Sequence, residues 1–566
     1  MTRNVKRIAL TAAAGASILA LGLTGCATGD NSPSGDDKGG DDSRALRVWA
    51  GSQTPITANF NPYAPTVLHG ALGPIYETLF VFNKTADTDP VGLVGDSYEF
   101  NEDGTVITVK IKGDQKWSDG EPLTAADVAF TFQYEGNNPE GQGLVSAEAT
   151  DDTTVVLTYE TPQFTNAFQR LGATWVLPEH VWKDIDNFTE IANEEPVGSG
   201  AYVVDNVTSE SYTLVANENF RDADSLGVKT VQYIAVDNNQ TAQDLLAAGE
   251  LDWAGMFIPN PESVTGNGKI EWLNTPQDPT VLYTCSNADL GCVGAQTDVA
   301  VRQALNVAID RATINEKAFV GLTGEISPTF ALIPRDERWV ADEANKISPQ
   351  SADAAAAGKI LEEAGYAKGS DGFYAKDGKT LELDMVSVDG WTDYNDAGKL
   401  IAEQAAEAGI KVNASTVQWN EFSDGRQTGE YELIMGGVVG TSVADPFQIY
   451  RDWIGGEKVQ STAKVGEEVP AGRWNFSRYS NPVVDDAILA ASATDDEATK
   501  KELYGTIQSE IVRDLPYIPL VINATQTFYN AKDFTGWPTE DDLYAFPPSW
   551  GSGSAGYILT QLKPAN

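Results

Sequence analysis

Histidine and cysteine, which often serve as proton carriers, nucleophiles and soft metal ligands, are rare in this sequence. The chain has two histidines, His69 and His180, and three cysteines, Cys26, Cys285 and Cys292. Two histidines leave little for a Ser-His-Asp site, and no G-x-S-x-G turn presents a nucleophilic serine. They are also too few for a histidine-rich metal centre. We therefore expect no bound metal and no other cofactor.

Carboxylates are the abundant reactive groups, with 82 aspartates and glutamates. A pair of them could catalyse glycoside hydrolysis, but spacing along the chain does not show which carboxylates meet in space. A secreted carbohydrate-active enzyme therefore stays open as the weaker alternative to a binding protein.

The balance of charge limits the partners. Against the 82 acids stand 38 lysines and arginines in 566 residues, which gives a net charge of −44. Such a chain is repelled by nucleic acid phosphates and by anionic lipid surfaces. Its length predicts two or three domains with separate cores. We expect a monomer that binds no nucleic acid.

The N-terminus predicts export. Three basic residues, Arg3, Lys6 and Arg7, precede an apolar segment over 8–23, which ends in Leu-Thr-Gly-Cys at Cys26. The pattern L-x-G-C resembles a bacterial lipobox, in which the cysteine is acylated and begins the mature chain. Residues 1–25 then form the signal peptide, and the Asp-, Gly- and Ser-rich residues 26–43 form a flexible tether. We expect a protein anchored by lipid to the outer face of a bacterial cytoplasmic membrane.

Export also affects the other two cysteines. Cys285 and Cys292 are separated by six residues and lie outside the reducing cytosol. A local disulfide between them is predicted, with a pair of buried thiols as the alternative.

Beyond residue 45, short apolar strands alternate with helical patterns, which is typical of mixed α/β structure. Strands are predicted at 46–49, 105–111, 151–159, 381–388 and 411–418, and helices at 125–134, 297–318, 351–364 and 394–408. The order strand, helix, strand over 381–418 favours a parallel pair. Loops at the ends of such strands are available to a ligand.

Several motifs carry a resemblance to a known family. Residues 117–128, Trp-Ser-Asp-Gly-Glu-Pro-Leu-Thr-Ala-Ala-Asp-Val, resemble the signature of the extracellular solute-binding proteins of peptide-type ABC importers. Further matches follow in the family's order at 75–80, 177–182, 196–202, 301–305, 309–311, 479–485 and 515–520. The chain is identified as a member of that family and resembles in particular its oligosaccharide-binding branch. The signature is expected to be structural, with Trp117 packed in a core and Thr124 capping a helix.

The resemblance implies an α/β fold like the type II periplasmic binding proteins of cluster C, in which two lobes close on a hinge and an extra domain is inserted. Domain I would comprise residues 44–88, 198–284 and 526–566, domain II residues 89–197, and domain III residues 285–525. The ligand would lie between domains I and III, and ABC permease subunits would receive it.

The ligand class depends partly on one loop. Peptide-binding members carry an aspartate that pairs with the ammonium group of the peptide, in the context G-W-x-x-D-Y-x-x-P. Aligned on Pro446, this chain has Val439 at the tryptophan position and Ser442 at the aspartate position. A buried ammonium without a partner is costly, so the serine argues against free peptides. Asp445 could substitute if the loop shifts.

Aromatic residues favour a sugar instead. Pyranose rings stack on aromatic faces, and several of the 13 tryptophans follow predicted strands or lie in a C-terminal segment that resembles the oligosaccharide binders. Core packing is the alternative for each tryptophan. The candidate ligand-binding residues are Trp49, Tyr63, His69, Trp391, Asp393, Trp419, Gly437, Ser442, Asp445, Trp537 and Trp550.

These observations predict a lipid-anchored receptor that captures an oligosaccharide, with β-linked ligands favoured, and delivers it to an ABC permease. A peptide-binding receptor of the same fold is the first alternative. In either case the ligand would stabilise a closed arrangement of the two lobes.

Overall fold

A computed structural model describes residues 44–51, 55–64, 66–134, 136, 143–185, 187–236, 238–439, 442–460, 462–470 and 472–565. The predicted signal peptide, Cys26 and the tether lie outside these residues. Within the described ranges, no helix combines the length and the apolar character needed to cross a bilayer.

Domain I is built on a mixed seven-stranded sheet. In sheet order its strands are Ile270–Asn274, Gln526–Asn530, Trp253–Gly255, Leu46–Trp49, Thr230–Ile234, Ser211–Ala216 and Tyr202–Val207. Leu46 and Val48 are fully buried, so alternate residues of the first strand enter the core, as the period of a strand requires. Helices Asn239–Ala248, Glu262–Thr265 and Gly553–Gln561 pack around the sheet.

Domain II contains a four-stranded antiparallel sheet with the order Gly95–Phe100, Val106–Ile111, Thr154–Tyr159 and Leu144–Asp151. Helices Ala125–Gln133 and Glu179–Trp182 belong to this domain. The single strand predicted at 151–159 is wrong at its start, because the chain turns at 152–153 between two strands. The Asp151 carboxylate accepts from the Thr153 N–H at 2.8 Å, which closes that turn.

The signature motif lies in domain II and is structural, as predicted. Trp117 is completely buried in the domain II core. Helix Ala125–Gln133 begins after Thr124, whose N–H donates to the Asp127 carboxylate at 2.9 Å. The same carboxylate accepts from the Glu179 N–H at 3.1 Å, so Asp127 joins the two helices of the domain.

Replacing Asp127 by alanine is expected to lower the free energy of unfolding by about 1.5 kcal/mol, because a helix cap and a second backbone partner are lost together. Urea denaturation followed by circular dichroism measures this change. Asp127→Asn, which keeps one acceptor oxygen, is the milder control. Ligand affinity of the folded variant should be unchanged, and a loss of affinity would place the signature in the binding site.

Domain III is built on a second sheet of five strands. In sheet order these are Lys411–Val417, Glu382–Val388, Leu433–Gly437, Asp278–Thr284 and Tyr517–Asn523. The predicted parallel pairing of the first two is confirmed. Strand Asp278–Thr284, which the predicted boundary at residue 284 assigns to domain I, pairs with Leu433–Gly437 and Tyr517–Asn523 of this sheet.

Helices surround the second sheet on both faces. They are Val299–Ala308, Arg311–Ala318, Ala354–Glu363, Thr392–Glu407, Trp419–Thr428, Phe447–Ile449, Pro482–Ser492 and Glu497–Asp514. The single helix predicted at 297–318 is wrong, because Ile309 is extended and Asp310 starts a new helix by accepting from the Thr313 N–H at 2.8 Å. Cys285 and Cys292 form a disulfide, the pairing predicted from their position.

Short pairs of strands complete the fold. They are Phe80–Val81 with Val91–Gly92, Phe534–Thr535 with Lys563–Pro564, and the three-stranded group Ala367–Lys368, Tyr374–Lys376 and Lys379–Thr380.

Two segments connect the two large sheets. Residues 275–277 lead from strand Ile270–Asn274 to strand Asp278–Thr284, and residues 524–525 lead back from Tyr517–Asn523 to Gln526–Asn530. The segments are bonded to each other, since the Thr275 N–H donates to the Thr525 carbonyl at 2.8 Å. Two lobes that are joined by only two short segments can rotate about them, so these segments form a hinge.

Candidate ligand-binding cleft

The hinge places one edge of each sheet opposite the other. In domain III, strands Glu382–Val388, Lys411–Val417 and Leu433–Gly437 end at the edge where Asp278 and Asn523 lie. In domain I, strands Leu46–Trp49 and Trp253–Gly255 end at the edge where Asn274 and Gln526 lie. Because the hinge joins these two edges, the residues that follow the strands of both sheets are the candidates for a cleft between the lobes.

The domain III edge carries an aromatic cluster. Trp391 and Trp419 remain 36% and 49% exposed, and their ring centroids lie 5.9 Å apart. Phe422 stacks against Trp419 at 5.7 Å, and Tyr394 packs edge-on against Trp391 at 5.3 Å. Trp391 immediately precedes helix Thr392–Glu407 and Trp419 is the first residue of helix Trp419–Thr428, and part of each ring stays in water.

Polar groups lie beside this cluster. The Tyr394 hydroxyl is hydrogen bonded to Thr280 Oγ1 at 3.0 Å, and its burial raises the pKa of Tyr394 to about 12. Asp393 is half-buried in the first turn of helix Thr392–Glu407, where burial raises the pKa of its carboxyl group. Gly437 ends its strand at the same edge, and its carbonyl accepts from the Tyr283 hydroxyl.

Three predicted residues lie at the domain I edge. Trp550 is 40% exposed, and its indole N–H donates to the Gly255 carbonyl at 3.0 Å. His69 is exposed and lies beside Gly51, and partial desolvation by the surrounding protein lowers the pKa of its imidazole. Trp49 is half-buried, and no described residue accepts a hydrogen bond from its buried indole N–H.

The structure separates Ser442 from Asp445. Ser442 lines a recess of about 360 Å³ between the lobes. The Asp445 carboxylate instead accepts from the Tyr504 hydroxyl at 2.7 Å and the Phe447 N–H at 2.8 Å, with the Lys500 ammonium 4.0 Å away. Burial raises the pKa of Asp445. Asp445, the acid that could have replaced the family's aspartate, therefore already has three partners within domain III.

Two candidate residues lie in packed interiors instead of the cleft. Trp537 is only 7% exposed, packs on Trp253 at 5.4 Å and donates to the Asn530 carbonyl at 3.1 Å. Tyr63 packs against Trp182 and Phe188 at 5.6 and 5.2 Å. We leave both out of the proposed site, because their rings are used in aromatic packing.

Residues that the sequence did not single out also line the recess. Domain I contributes Lys84, Phe546 and the segment 551–554, and domain II contributes Phe168 and Trp175. The sequence analysis did not predict that domain II residues would line this recess. Of these residues, only Phe546 could have been suspected from the sequence, because it is close to Trp550 in the C-terminal segment. Residues 84, 168 and 546 are far apart in the chain, and no motif indicates that they meet.

Comparisons with known proteins agree with this architecture. The family model described as "Bacterial extracellular solute-binding proteins, family 5 Middle" matches residues 89–460. Among solved structures, an oligopeptide-binding ABC transporter protein of Thermotoga maritima superposes with a TM-score of 0.81 at 24% identity, covering 93% of this chain and all of the other. The mannohexaose-bound structure with the same protein description gives 0.73. At this identity the match shows the fold.

Two relatives of similar length match nearly the whole chain. Protein XP55 of Streptomyces lividans is 28% identical over 91% of this chain and 90% of its own length. The glutathione-binding protein GsiB of Pectobacterium atrosepticum is 27% identical over 89% and 95%. Since the family model covers well over half of the chain, the chain belongs to family 5 of the bacterial extracellular solute-binding proteins, the substrate-binding components of ABC importers.

Proposed function

We propose that this solute-binding protein captures an oligosaccharide in the cleft between its lobes. The observation that carries the proposal is the exposed pair Trp391 and Trp419, at the edge of the domain III sheet that faces the cleft. Adjacent, partly exposed indole rings offer two faces for the apolar C–H surfaces of successive pyranose rings. The mannohexaose-bound relative supports the proposal, because it shows a sugar on this fold.

The lining of the recess has the composition that a sugar requires. Aromatic rings of Phe82, Phe168, Trp175 and Phe546 line it together with the hydroxyl groups of Ser442, Ser552 and Ser554. Rings supply stacking surfaces, and hydroxyls can donate to or accept from a sugar hydroxyl. Wrong ligands would be rejected when these polar groups stay unpaired.

The state of Asp445 argues against a free peptide ammonium as the main anchor. A carboxylate that binds an ammonium strongly must be accessible, but this one is held by Tyr504, Phe447 and Lys500. Ser442, at the position of the expected aspartate, has no charge to offer. Peptide binding would need a different acid or would rely on backbone pairing.

A peptide ligand remains the second candidate, and one observation favours it. The Pectobacterium relative that binds glutathione is similar over 95% of its own length. A tripeptide with an unusual linkage and two carboxylates fits the same cleft if its ammonium is held by another group.

Transport and location follow from the family and complete the proposal. The ligand would favour closure of the two lobes, and a permease would receive the closed complex. Acylation at Cys26 would hold the protein, as a monomer, at the outer face of the cytoplasmic membrane. The role is binding without catalysis, so incubation with oligosaccharides should release no shorter products.

Isothermal titration calorimetry tests the ligand class. The purified protein, freed of copurifying ligand by unfolding and refolding, is titrated with β- and α-linked oligosaccharides, di- to pentapeptides and glutathione. We expect micromolar or tighter binding of a β-linked oligosaccharide and no heat from the peptides. Binding of peptides alone would overturn the oligosaccharide proposal and leave the importer role standing.

A further inference from the structure

A second groove lies on domain III, apart from the recess between the lobes. Its volume is about 540 Å³, which is within the range of about 300–1,000 Å³ that small-molecule sites occupy. All the described residues that line it belong to domain III, and they come mainly from the disulfide loop, strands Glu382–Val388 and Leu433–Gly437, and helix Trp419–Thr428. Since neither domain I nor domain II contributes to this lining, the groove is separate from the ligand cleft.

The floor of the groove is apolar. Val386 and Ile434 line it from the sheet, Phe422 from the helix and Val465 from a loop. Val293, which also lines it, is 77% exposed on a loop that the adjacent disulfide holds in place. An apolar floor that is open to water offers a contact surface for the hydrocarbon part of a ligand.

Carboxylates stand at both ends of this floor. The described residues that line the groove include Asp384, Glu421, Glu430 and Glu432 but no lysine, arginine or histidine. Helix Trp419–Thr428 has ten residues and is therefore about 15 Å long. Glu421 lies in its first turn, whereas Glu430 and Glu432 follow its end, where the Glu432 carboxylate accepts from the Asp384 N–H. One acid is thus separated from the other three by the apolar floor.

A buried amide oxygen without a partner points to the end with three acids. Gln296 is completely buried, and its Nε2 donates to the Val293 and Cys285 carbonyls at 2.7 and 3.2 Å, which fixes the orientation of the amide. No described residue donates to its Oε1. A side chain at Gly294 would clash with both this oxygen and Glu432 Oε1, so the two acceptors flank one position at the surface. A buried acceptor without a donor is costly, and a cationic donor bound here would supply the missing bond.

The charge of Glu432 is not balanced within the described residues. Burial raises the pKa of its carboxyl group, and the charges of Asp384 and Glu382 raise it further. None of the four acids that line the groove forms an ion pair with another described residue. Glu432 and its neighbours therefore favour a cation from outside the chain.

Two arginines influence Tyr431, which also lines the groove, but both are engaged in the interior. The Arg426 guanidinium lies 4.7 Å from the centroid of the Phe476 ring. Arg478 is completely buried and donates to the Gln427 carbonyl at 2.7 Å. Neither is among the residues that line the groove.

The separation of the acids also bears on the kind of cation. A bound metal ion needs several oxygens around one point, and the described part of the chain contains no group of three or more acids, histidines or cysteines that could hold one. Acids at two ends of an apolar floor instead match a chain with ammonium groups at its ends and methylene groups between them.

We propose that this groove is a second binding site, which takes a linear polyamine. One ammonium group would lie at Glu432 and Gln296 and another near Glu421, with the methylene stem on the apolar floor. The site goes beyond the proposed function, because it does not involve the cleft or the ligand that the cleft captures.

Probes of the same length test the charge. The purified protein is titrated by calorimetry at physiological salt with 1,8-diaminooctane, with the uncharged 1,8-octanediol and with Mg²⁺ at the same ionic strength. The diamine is expected to bind at least tenfold more tightly than either of the others. The diol lacks the charged donors, and Mg²⁺ lacks the apolar stem.

Variants that remove one charge each connect binding to the groove. Glu432→Gln keeps an acceptor for the Asp384 N–H and gains a donor for Gln296 Oε1, so urea denaturation should show no loss of stability, while the diamine binds at least fivefold more weakly. Glu421→Gln should weaken the diamine by a similar factor at the other end. The control is Glu407→Gln, which removes the same charge from the exposed end of helix Thr392–Glu407 and should change affinity by less than about twofold.

Each other outcome overturns the proposal. No binding of the diamine, or equal binding of the diamine and either comparison probe, would exclude a polyamine site. An equal loss in Glu407→Gln would mean that net charge alone attracts the diamine. Affinity that falls in only one of Glu432→Gln and Glu421→Gln, or in neither, would contradict the two-ended arrangement. The oligosaccharide function stands in every case, since it is tested with different ligands.

Discussion

The double variant Trp391→Ala, Trp419→Ala is expected to bind its oligosaccharide at least thirtyfold more weakly than the unchanged protein. Removing one well-packed aromatic anchor from a binding site costs about 2 kcal/mol, and 1.4 kcal/mol corresponds to a factor of ten in affinity. The two rings are neighbours, 5.9 Å apart, so their losses need not add. Calorimetry with the oligosaccharide that binds the unchanged protein measures the effect.

Conservative variants separate stacking from folding in this experiment. Trp391→Phe and Trp419→Phe keep a ring face and should each lose less than about fivefold in affinity. Urea denaturation should show little destabilisation by the alanine variants, because both side chains are more than a third exposed. Unchanged sugar affinity in the double variant would remove the tryptophan pair from the site, although the importer role would survive.

The second large effect is expected from a contact between domains II and III. Arg451 forms a two-pronged ion pair with the adjacent Asp452, at 2.6 and 2.9 Å. Its remaining nitrogen, Nη1, donates to the Asn166 side chain of domain II at 2.6 Å. Arg335 repeats this design, since it pairs with Asp336 and donates through Nη1 to the Lys84 carbonyl of domain I at 2.7 Å. Both arginines are thus held by a neighbouring aspartate and also bond to a residue far away in the sequence.

Asn166→Ala is expected to lower ligand affinity about tenfold. The variant removes one hydrogen bond to a charged donor, worth about 1.5 kcal/mol, from the state in which the lobes are in contact. When only the closed state binds, the apparent affinity falls with the population of that state. Because Arg451 keeps its ion pair with Asp452, no buried charge is left without a partner.

Opposite and neutral variants make this prediction specific. Asn166→Asp turns the contact into an ion pair and should raise affinity, while Asn413→Ala should change nothing, because Asn413 bonds to Glu382 and Asp384 within domain III. Small-angle X-ray scattering of the ligand-free protein should show a larger radius of gyration for Asn166→Ala. An unchanged radius together with unchanged affinity would mean that this contact does not control closure.

Local signals in the sequence were sufficient for much of the fold. The parallel pair that ends at Val388 and Val417 follows from the order strand, helix, strand, because a right-handed crossover brings such strands together. The helix that begins after Thr124 follows from a cap whose partners are only three residues apart. The break at Ile309 was missed, because the helical spacing of apolar residues continues from one helix into the next. Such a pattern does not show that the backbone becomes extended between them.

The binding site was harder to predict, because a tryptophan has the same local pattern in a core and in a cleft. Trp391 and Trp550 are more than a third exposed, but Trp537 is buried against Trp253, nearly 300 residues away in sequence. Asp445 could be identified as a candidate acid, but its partner Tyr504 belongs to a helix that begins some 50 residues later.

The sequence by itself determined the family, the mixed α/β class and the predicted disulfide, since each depends on residue types at short spacing. Only the tertiary structure decided which side chains share the cleft. Its recess joins Lys84, Trp175, Ser442 and Ser554 from three domains. Their proximity arises from a chain that leaves domain I and returns to it through a two-segment hinge, and no local pattern encodes distances that depend on the packing of whole domains.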